Sequence, residues 1–320
     1  MRAIAYTGKG GREVMRLDER PDPRPGSNDV LVKVRFAGIN TADLAQRAGF
    51  YPAPPGAPQD VPGLEVAGTV IACGEAVLAW KEGDRVFGLV GGGGLADRVV
   101  VHERHVTRVP DRLNEEEAAA APEIFITAHD AIRTQAGLRP GDVLLVNGAN
   151  GGVGTAGVQV GLCAGARVLA NARSQDARER LGELGAEPVS PDDFVERARA
   201  AGGADVVLEL VGTPNLAGNL EALAPKGRIV IVGTGAGAEG EISLRALMVK
   251  RARLFGTVLR ARPLEEKAAV VRAFEHEVVP FLADGRARAI VDRVFPAEDA
   301  AEAFDHMEQP GKFGKVLLAF

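Results

Sequence analysis

Polar and apolar positions divide the chain into three zones. From Met1 to about Asn114, short β-rich runs are broken by glycine and proline: DVLVKVRFAGIN, LEVAGTVIACG, DRVFGLV and LADRVVVH. This pattern predicts a twisted antiparallel, barrel-like domain. Inside it, GFYPAPPGAPQDVPG (49–63) carries five prolines, too many for a regular element. Its length and the Phe50-Tyr51 pair mark it as a binding loop. EEEAAAAPEIFITAHDAIRTQAG then opens a helical stretch. Strand-like runs at 143–147, 166–171, 205–210 and 228–233 alternate with helical ones, which predicts a doubly wound parallel sheet. Beyond Arg262, PLEEKAAVVRAFEHEVVPFLADG reads as one amphipathic helix. AIVDRVFPAEDAAEAFDHME and GKVLLAF add strand, helix and strand, expected to complete the first domain. The expected division of this α/β chain is 1–118 with 262–320, and 119–261.

Composition narrows the partners. A length of 320 residues suits two domains, and 46% hydrophobic against 25% charged residues is an ordinary globular balance. The net charge of −5 and pI of about 5.7 offer no basic field, so no nucleic-acid partner is expected. MRAIAYTGKG lacks the apolar core of a leader, and no run approaches the ~18 apolar residues of a membrane span. A cytoplasmic protein with no membrane partner is expected. Cys73 and Cys163 sit in apolar settings and are expected as free buried thiols.

The strand VLLV runs into Ala149-Asn150-Gly151-Gly152-Val153-Gly154 and then into a helix rich in small residues, the context of a dinucleotide-binding turn. Gly151 lets backbone approach a pyrophosphate, Gly154 lets the helix pack on the strand, and the amides of Gly152 and Val153 face phosphate charge. Ala149 replaces the first glycine of the motif. A site for NAD places an acid at the end of the second strand, ~20 residues on, to hold the ribose 2′-hydroxyl. Here Asn171 and Ala172 end the strand and Arg173 and Ser174 follow, with Arg178 a turn later. A guanidinium and a hydroxyl suit a 2′-phosphate, so the expected cofactor is NADPH. The ends of later strands, Val211, Gly212, Gly233, Thr234, Thr257, Val258, Leu259 and Arg260, should also border it.

Taken together, AGINTADLAQRAGFYPAPPG, PGLEVAGTV, EGDRVFGL, TAHDAIRTQAGLRPGDVLLVNGANGGVG and GKVLL occur in the order found in the medium-chain dehydrogenase/reductase superfamily. The chain resembles its zinc-free quinone oxidoreductases related to zeta-crystallin, and AQRAGFYPAPPG, APEIFITA and GTVLRARPLEEK look closest to the tumour-suppressor-inducible branch. The resemblance implies a GroES-like β-barrel catalytic domain, an inserted Rossmann domain, NADPH in the cleft, and a homodimer formed through the last Rossmann strand, about 253–258. It also implies no metal. Where zinc-dependent relatives carry cysteine this chain has Asn40, their Gly-His-Glu is Gly63-Leu64-Glu65, and the second cysteine position falls near Glu123. His102 and His105, the one close histidine pair, lack further ligands. A quinone needs little Lewis-acid help, so alignment, water exclusion and hydrogen bonds to a developing oxyanion suffice. The resemblance implies Tyr51, Asn40 and Thr127 as catalytic residues, the last two also touching the cofactor. Tyr51 reads equally well as an anchor packed on Phe50 and the prolines. An enone or 2-enoyl thioester reductase, and a cofactor-bound protein without turnover, stay open beside the quinone reductase.

Overall fold

In the computed structural model, which describes residues 1–320, β1 (Arg2–Tyr6) and β2 (Met15–Glu19) form an antiparallel pair. The long β3 (Asp29–Ile39) exposes only Lys33 and Arg35 and packs its remaining apolar side chains inward. After α1 (Thr41–Arg47), the segment 48–64 forms neither helix nor strand, as its prolines dictate. Strands β4 (Glu65–Cys73), β5 (Arg85–Leu89), β6 (Arg98–His102) and β7 (Val106–Arg108) follow, then α2 (Glu115–Ala120) and α3 (Pro122–His129).

Past a π-helical turn, Asp130–Gln135, come β8 (Val143–Asn147), α4 (Gly152–Cys163), β9 (Arg167–Asn171), α5 (Gln175–Glu183) and β10 (Glu187–Val189). They continue through α6 (Phe194–Ala200), β11 (Ala204–Glu209), α7 (Leu216–Ala222), β12 (Leu223–Ile231), α8 (Leu244–Lys250) and β13 (Arg253–Gly256). All six strands are parallel, in the order β10-β9-β8-β11-β12-β13. The strand order reverses at β8, the position where the open sheets of this architecture bind ligands. Leu145, Leu169, Val207 and Ile229 form the core of this sheet.

The tail departs from expectation in one respect. The single helix expected over 263–285 is two, α9 (Leu264–Glu277) and α10 (Val279–Asp284), because Pro280 lacks an N–H and interrupts the ladder. Next come β14 (Val291–Pro296), α11 (Ala300–Glu308) and β15 (Lys315–Ala319). β15 lies between β14 and β3, so the tail does complete the first sheet, ordered β14-β15-β3-β4-β5-β7 with β6 on β3.

One unit is Met1–Glu123 with Leu259–Phe320; the other is Ile124–Val258. The boundaries thus fall five residues later and three earlier than expected. Hydrogen bonds explain both shifts: the Glu123 amide donates to Glu65, and Arg260 donates to Gly91, Tyr51 and Gln46.

Candidate functional site

In the second unit the chain leaves β8 through Gly148, and the Ala149 amide donates to the Asn171 carbonyl at 3.0 Å. Gly151 is the N-cap of α4 in extended conformation; no side chain caps the helix and no acid stands in its first turn. The first amides of a helix lack intrahelical partners, so those of Gly152 and Val153 can take up an anion. A Cβ on Gly154 would lie 2.3 Å from the Gly148 carbonyl oxygen, so only glycine permits this approach, whereas one on Gly151 would meet nothing closer than 3.6 Å. Backbone and small side chains here fit a dinucleotide pyrophosphate.

At the end of β9, Ala172 is buried while Arg173 and Ser174 are exposed. Ser174 caps α5 by accepting from the Ala177 amide, which leaves its O–H to donate. Arg178 is turned onto the loop itself: it donates to the carbonyls of Ala172 (3.0 Å) and Arg173 (2.7 Å) and to Gln175 Oε1. An acid does follow nearby: Asp176, two residues beyond Ser174, stands in the first turn of α5. Asn171 points inward, donating to Asn147 Oδ1 at 2.8 Å, and is 4% exposed.

Asn171 thereby joins a buried network that sequence reasoning missed. Asn147 Nδ2 donates to Glu209 Oε2 (2.7 Å) and Asn219 Oδ1 (2.6 Å), and Asn219 Nδ2 donates to Glu209 Oε2 (2.6 Å). The other oxygen of Glu209 accepts from the amides of Val211 (2.7 Å) and Gly212 (2.9 Å). Those two expected cofactor residues are therefore fixed from beneath, with their amides on Glu209. Gly212 has φ +117°, and a Cβ there would lie 2.4 Å from the Gly237 carbonyl oxygen. Of the remaining strand-end residues, Gly233 and Thr234 follow β12 at Val232, and Thr257 Oγ1 accepts from Gln135 at 2.7 Å. Thr127 lies buried in α3.

In the first unit, α1 and β4 bring Asn40 against Glu65. Asn40 Nδ2 donates to Glu65 Oε1 at 3.0 Å and its Oδ1 accepts from Lys315 Nζ at 2.7 Å. The Lys315 ammonium also donates to the Ile39 carbonyl (2.8 Å) and pairs with Glu65 Oε1 at 2.6 Å, which uses all three of its protons. Glu65 is fully buried, and its second oxygen accepts from the Glu123 amide at 2.8 Å. Asn40, expected to touch cofactor, thus has both ends of its side chain engaged within the protein. Asp43 accepts from the amides of Asn40 and Gly63, each at 2.8 Å. Burial raises its carboxyl to about 6 against the pull of those amides. Burial, followed by the charge of Glu65, raises Glu123 to about 8, with Lys315 opposing.

Tyr51 is partly exposed on the proline-rich loop, and its ring centroid lies 5.4 Å from the Arg260 guanidinium carbon. Arg260 donates to the Tyr51 carbonyl (3.1 Å), the Gly91 carbonyl (2.8 Å) and Gln46 Oε1 (2.6 Å). Expected to border cofactor, its head group instead clamps the loop that carries Tyr51; the adjacent Leu259 is 7% exposed. Burial and the charge of Glu123 push the Tyr51 phenol above its ordinary value, and Arg260 opposes them.

No three His, Cys, Asp or Glu side chains converge as a metal set. Glu65 is paired with the Lys315 ammonium, and tetrahedral zinc wants thiolate or imidazole donors that Asn40, Leu64 and Glu123 do not supply. His102 and His105 lie 5.4 Å apart and make local bonds, to the Arg104 amide and the Leu264 carbonyl. Both cysteines are free thiols, but partly exposed rather than buried as expected. No helix is long and apolar enough to cross a membrane.

Two family models match: an alcohol dehydrogenase GroES-like domain over residues 26–111 and a zinc-binding dehydrogenase over 152–275. A quinone oxidoreductase of Lama guanicoe is 32% identical over 99% of this chain and 97% of its own. The chain belongs to the medium-chain dehydrogenase/reductase superfamily. Within that superfamily, an NAD-dependent alcohol dehydrogenase shares the fold at TM-score 0.88 and 31% identity, covering all of both chains. A mycobacterial protein complexed with NADPH does so at TM-score 0.89 and 26% identity, again over all of both chains. The second unit is accordingly the superfamily's nicotinamide-binding Rossmann domain and the first its GroES-like domain, and the protein is an oxidoreductase.

Proposed function

We propose that this chain is an NADPH-dependent, zinc-independent reductase of quinones. The observation that carries the reading is that Asn40 and Leu64 stand where the resemblance places a cysteine and a histidine of the zinc site, with the adjacent Glu65 tied to the Lys315 ammonium. A substrate reduced here must accept hydride without a Lewis acid on its carbonyl, and a quinone does so because its carbons are electron-poor and its product is aromatic. Bound NADPH supplies the hydride. The amides of Gly152 and Val153 face its pyrophosphate, and Arg173 with the Ser174 hydroxyl meets its 2′-phosphate. The Tyr51 hydroxyl donates a hydrogen bond to the quinone oxygen as charge develops, its ring held by Arg260. Two copies pair through β13, the edge strand of the Rossmann sheet, where Val258 and the α8 residues Leu244, Met248 and Val249 are exposed apolar side chains. The enzyme works in the cytoplasm.

The test follows NADPH oxidation with quinones, enones and 2-enoyl thioesters, with and without chelator. Turnover greatest with quinones and unchanged by chelator is expected. Preference for a thioester, or loss of activity in chelator, overturns the reading.

A further inference from the structure

A buried lysine ordinarily gives its charge to an acid, as Lys315 does to Glu65. Lys267, in the first turn of α9, does not. The residue is only 8% exposed, yet its ammonium forms no hydrogen bond and no ion pair within the protein. The acids before it on the same helix are turned outward: Glu265 is bonded to Arg104 at 2.7 Å, and Glu266 is exposed. Burial lowers the pKa of Lys267; the charge of Glu123 opposes that shift and the charge of Arg260 adds to it.

The ammonium faces a slot. A Cβ on Gly91 would stand 3.7 Å from Lys267 Nζ, 3.3 Å from Pro54 Cγ and 3.4 Å from Ala57 Cβ. The space that Gly91 leaves is therefore bounded by the proline-rich loop on one side and by the charge on the other. Pro54, Ala57 and Gly91 are each partly exposed, so the slot is reached from solvent. Gly91 is anchored from behind, its carbonyl accepting from Arg260 at 2.8 Å, and the same guanidinium holds the Tyr51 carbonyl at 3.1 Å. The slot thus adjoins the loop that carries Tyr51.

We propose that Lys267 and this slot bind a carboxylate on the substrate, so that the preferred quinone bears an acidic substituent; the inference rests on the reductase reading above. An unpaired buried ammonium destabilises the protein that holds it, and an anion arriving with the substrate relieves that. A carboxylate matches it, since the ammonium is a compact charge with all three protons free to donate. A dianionic phosphate is better met by a guanidinium fork. The one guanidinium beside the slot, on Arg260, is already taken by Gly91, Tyr51 and Gln46. Pro54 and Ala57 supply apolar walls for the hydrocarbon that joins the carboxylate to the ring.

The test compares a naphthoquinone carboxylic acid with its methyl ester as substrates of wild type, Lys267→Met and Gly91→Ala, and titrates benzoate into each protein by calorimetry without NADPH. Wild type should favour the acid in kcat/KM by roughly ten- to a hundredfold, as a charge-assisted contact provides. In Lys267→Met the acid should fall to the level of the ester. Gly91 does not adopt a left-handed φ, so Gly91→Ala should fold, place a methyl group in the slot and lose the same preference. Lys267→Met should keep or raise the midpoint of urea denaturation, because the charge it removes has no partner. Equal use of acid and ester by wild type, a lowered midpoint for Lys267→Met, or benzoate bound alike by all three proteins overturns the site. Inorganic phosphate that displaces benzoate at equal concentration overturns the choice of a carboxylate. Benzoate bound by wild type and not by Lys267→Met, in a protein inactive on every quinone, keeps the site and overturns the reductase reading instead.

Discussion

Each unit buries a carboxylate beneath its candidate site, and the two are satisfied in opposite ways. Glu209 is held entirely by N–H donors, from Asn147, Asn219, Asn215, Val211 and Gly212, with no cation. Glu65 takes an ammonium, one side-chain amide and one backbone amide, and a second acid stands beside it. Fixed amide donors stabilise a charge that stays in place and in return set the shape of a loop. An ammonium held by a single buried acid makes that acid depend on one distant partner. The first arrangement shapes a loop; the second ties the carboxyl-terminal strand to the barrel.

Removing the cation should separate them most. Lys315→Met leaves Glu65 buried without compensation, an expected loss of about 3–5 kcal/mol in urea denaturation. Glu209→Gln should cost less, about 1–3 kcal/mol, because its NH₂ must face a donor whichever way it turns. KM for NADPH should rise as the Val211–Gly212 loop loses its support. A loss for Glu209→Gln as large as that for Lys315→Met would erase the contrast. The smallest effect on stability is expected at an exposed charge that belongs to neither network. Arg173→Ala should leave urea denaturation unchanged yet weaken NADPH roughly ten- to a hundredfold and leave NADH untouched. Equal weakening of both cofactors would make Arg173 an ordinary surface charge.

Backbone-driven features were legible in the sequence. The glycine turn, the proline-rich loop and β8 over 143–147 follow from residue types that restrict φ and ψ or demand burial. The three-residue β7 and β10 are too short for alternation to register, and β10 holds Pro188 as well. Across Pro280 the apolar period of a helix simply continues, which hides the break. The polar networks were the least legible. Glu123 was visible only as an absence, near a position where a zinc ligand is missing, and Glu65 only as the neighbour of another such position, Leu64. Nothing local ties them to Lys315, which reaches Asn40 across 275 positions. Glu209 lies within the strand-like run 205–210 and passed unnoticed, since sequence spacing does not show which side chain turns inward. Arg260 was assigned to cofactor by strand-end logic, whereas its length carries the guanidinium to the Tyr51 loop.

The place of β15 between β14 and β3 also bears on how the protein is made. Residues 124–258 emerge from the ribosome as one uninterrupted stretch and can fold as they appear. The barrel cannot: β3 and Glu65 are synthesised early and wait for the last strand, which brings both their neighbour and their counter-ion. A nascent chain halted short of residue 315 therefore carries a finished nucleotide sheet beside an open barrel edge and an unneutralised acid. That half-built state presents an unpaired strand edge, open to pairing with another chain until β15 is added.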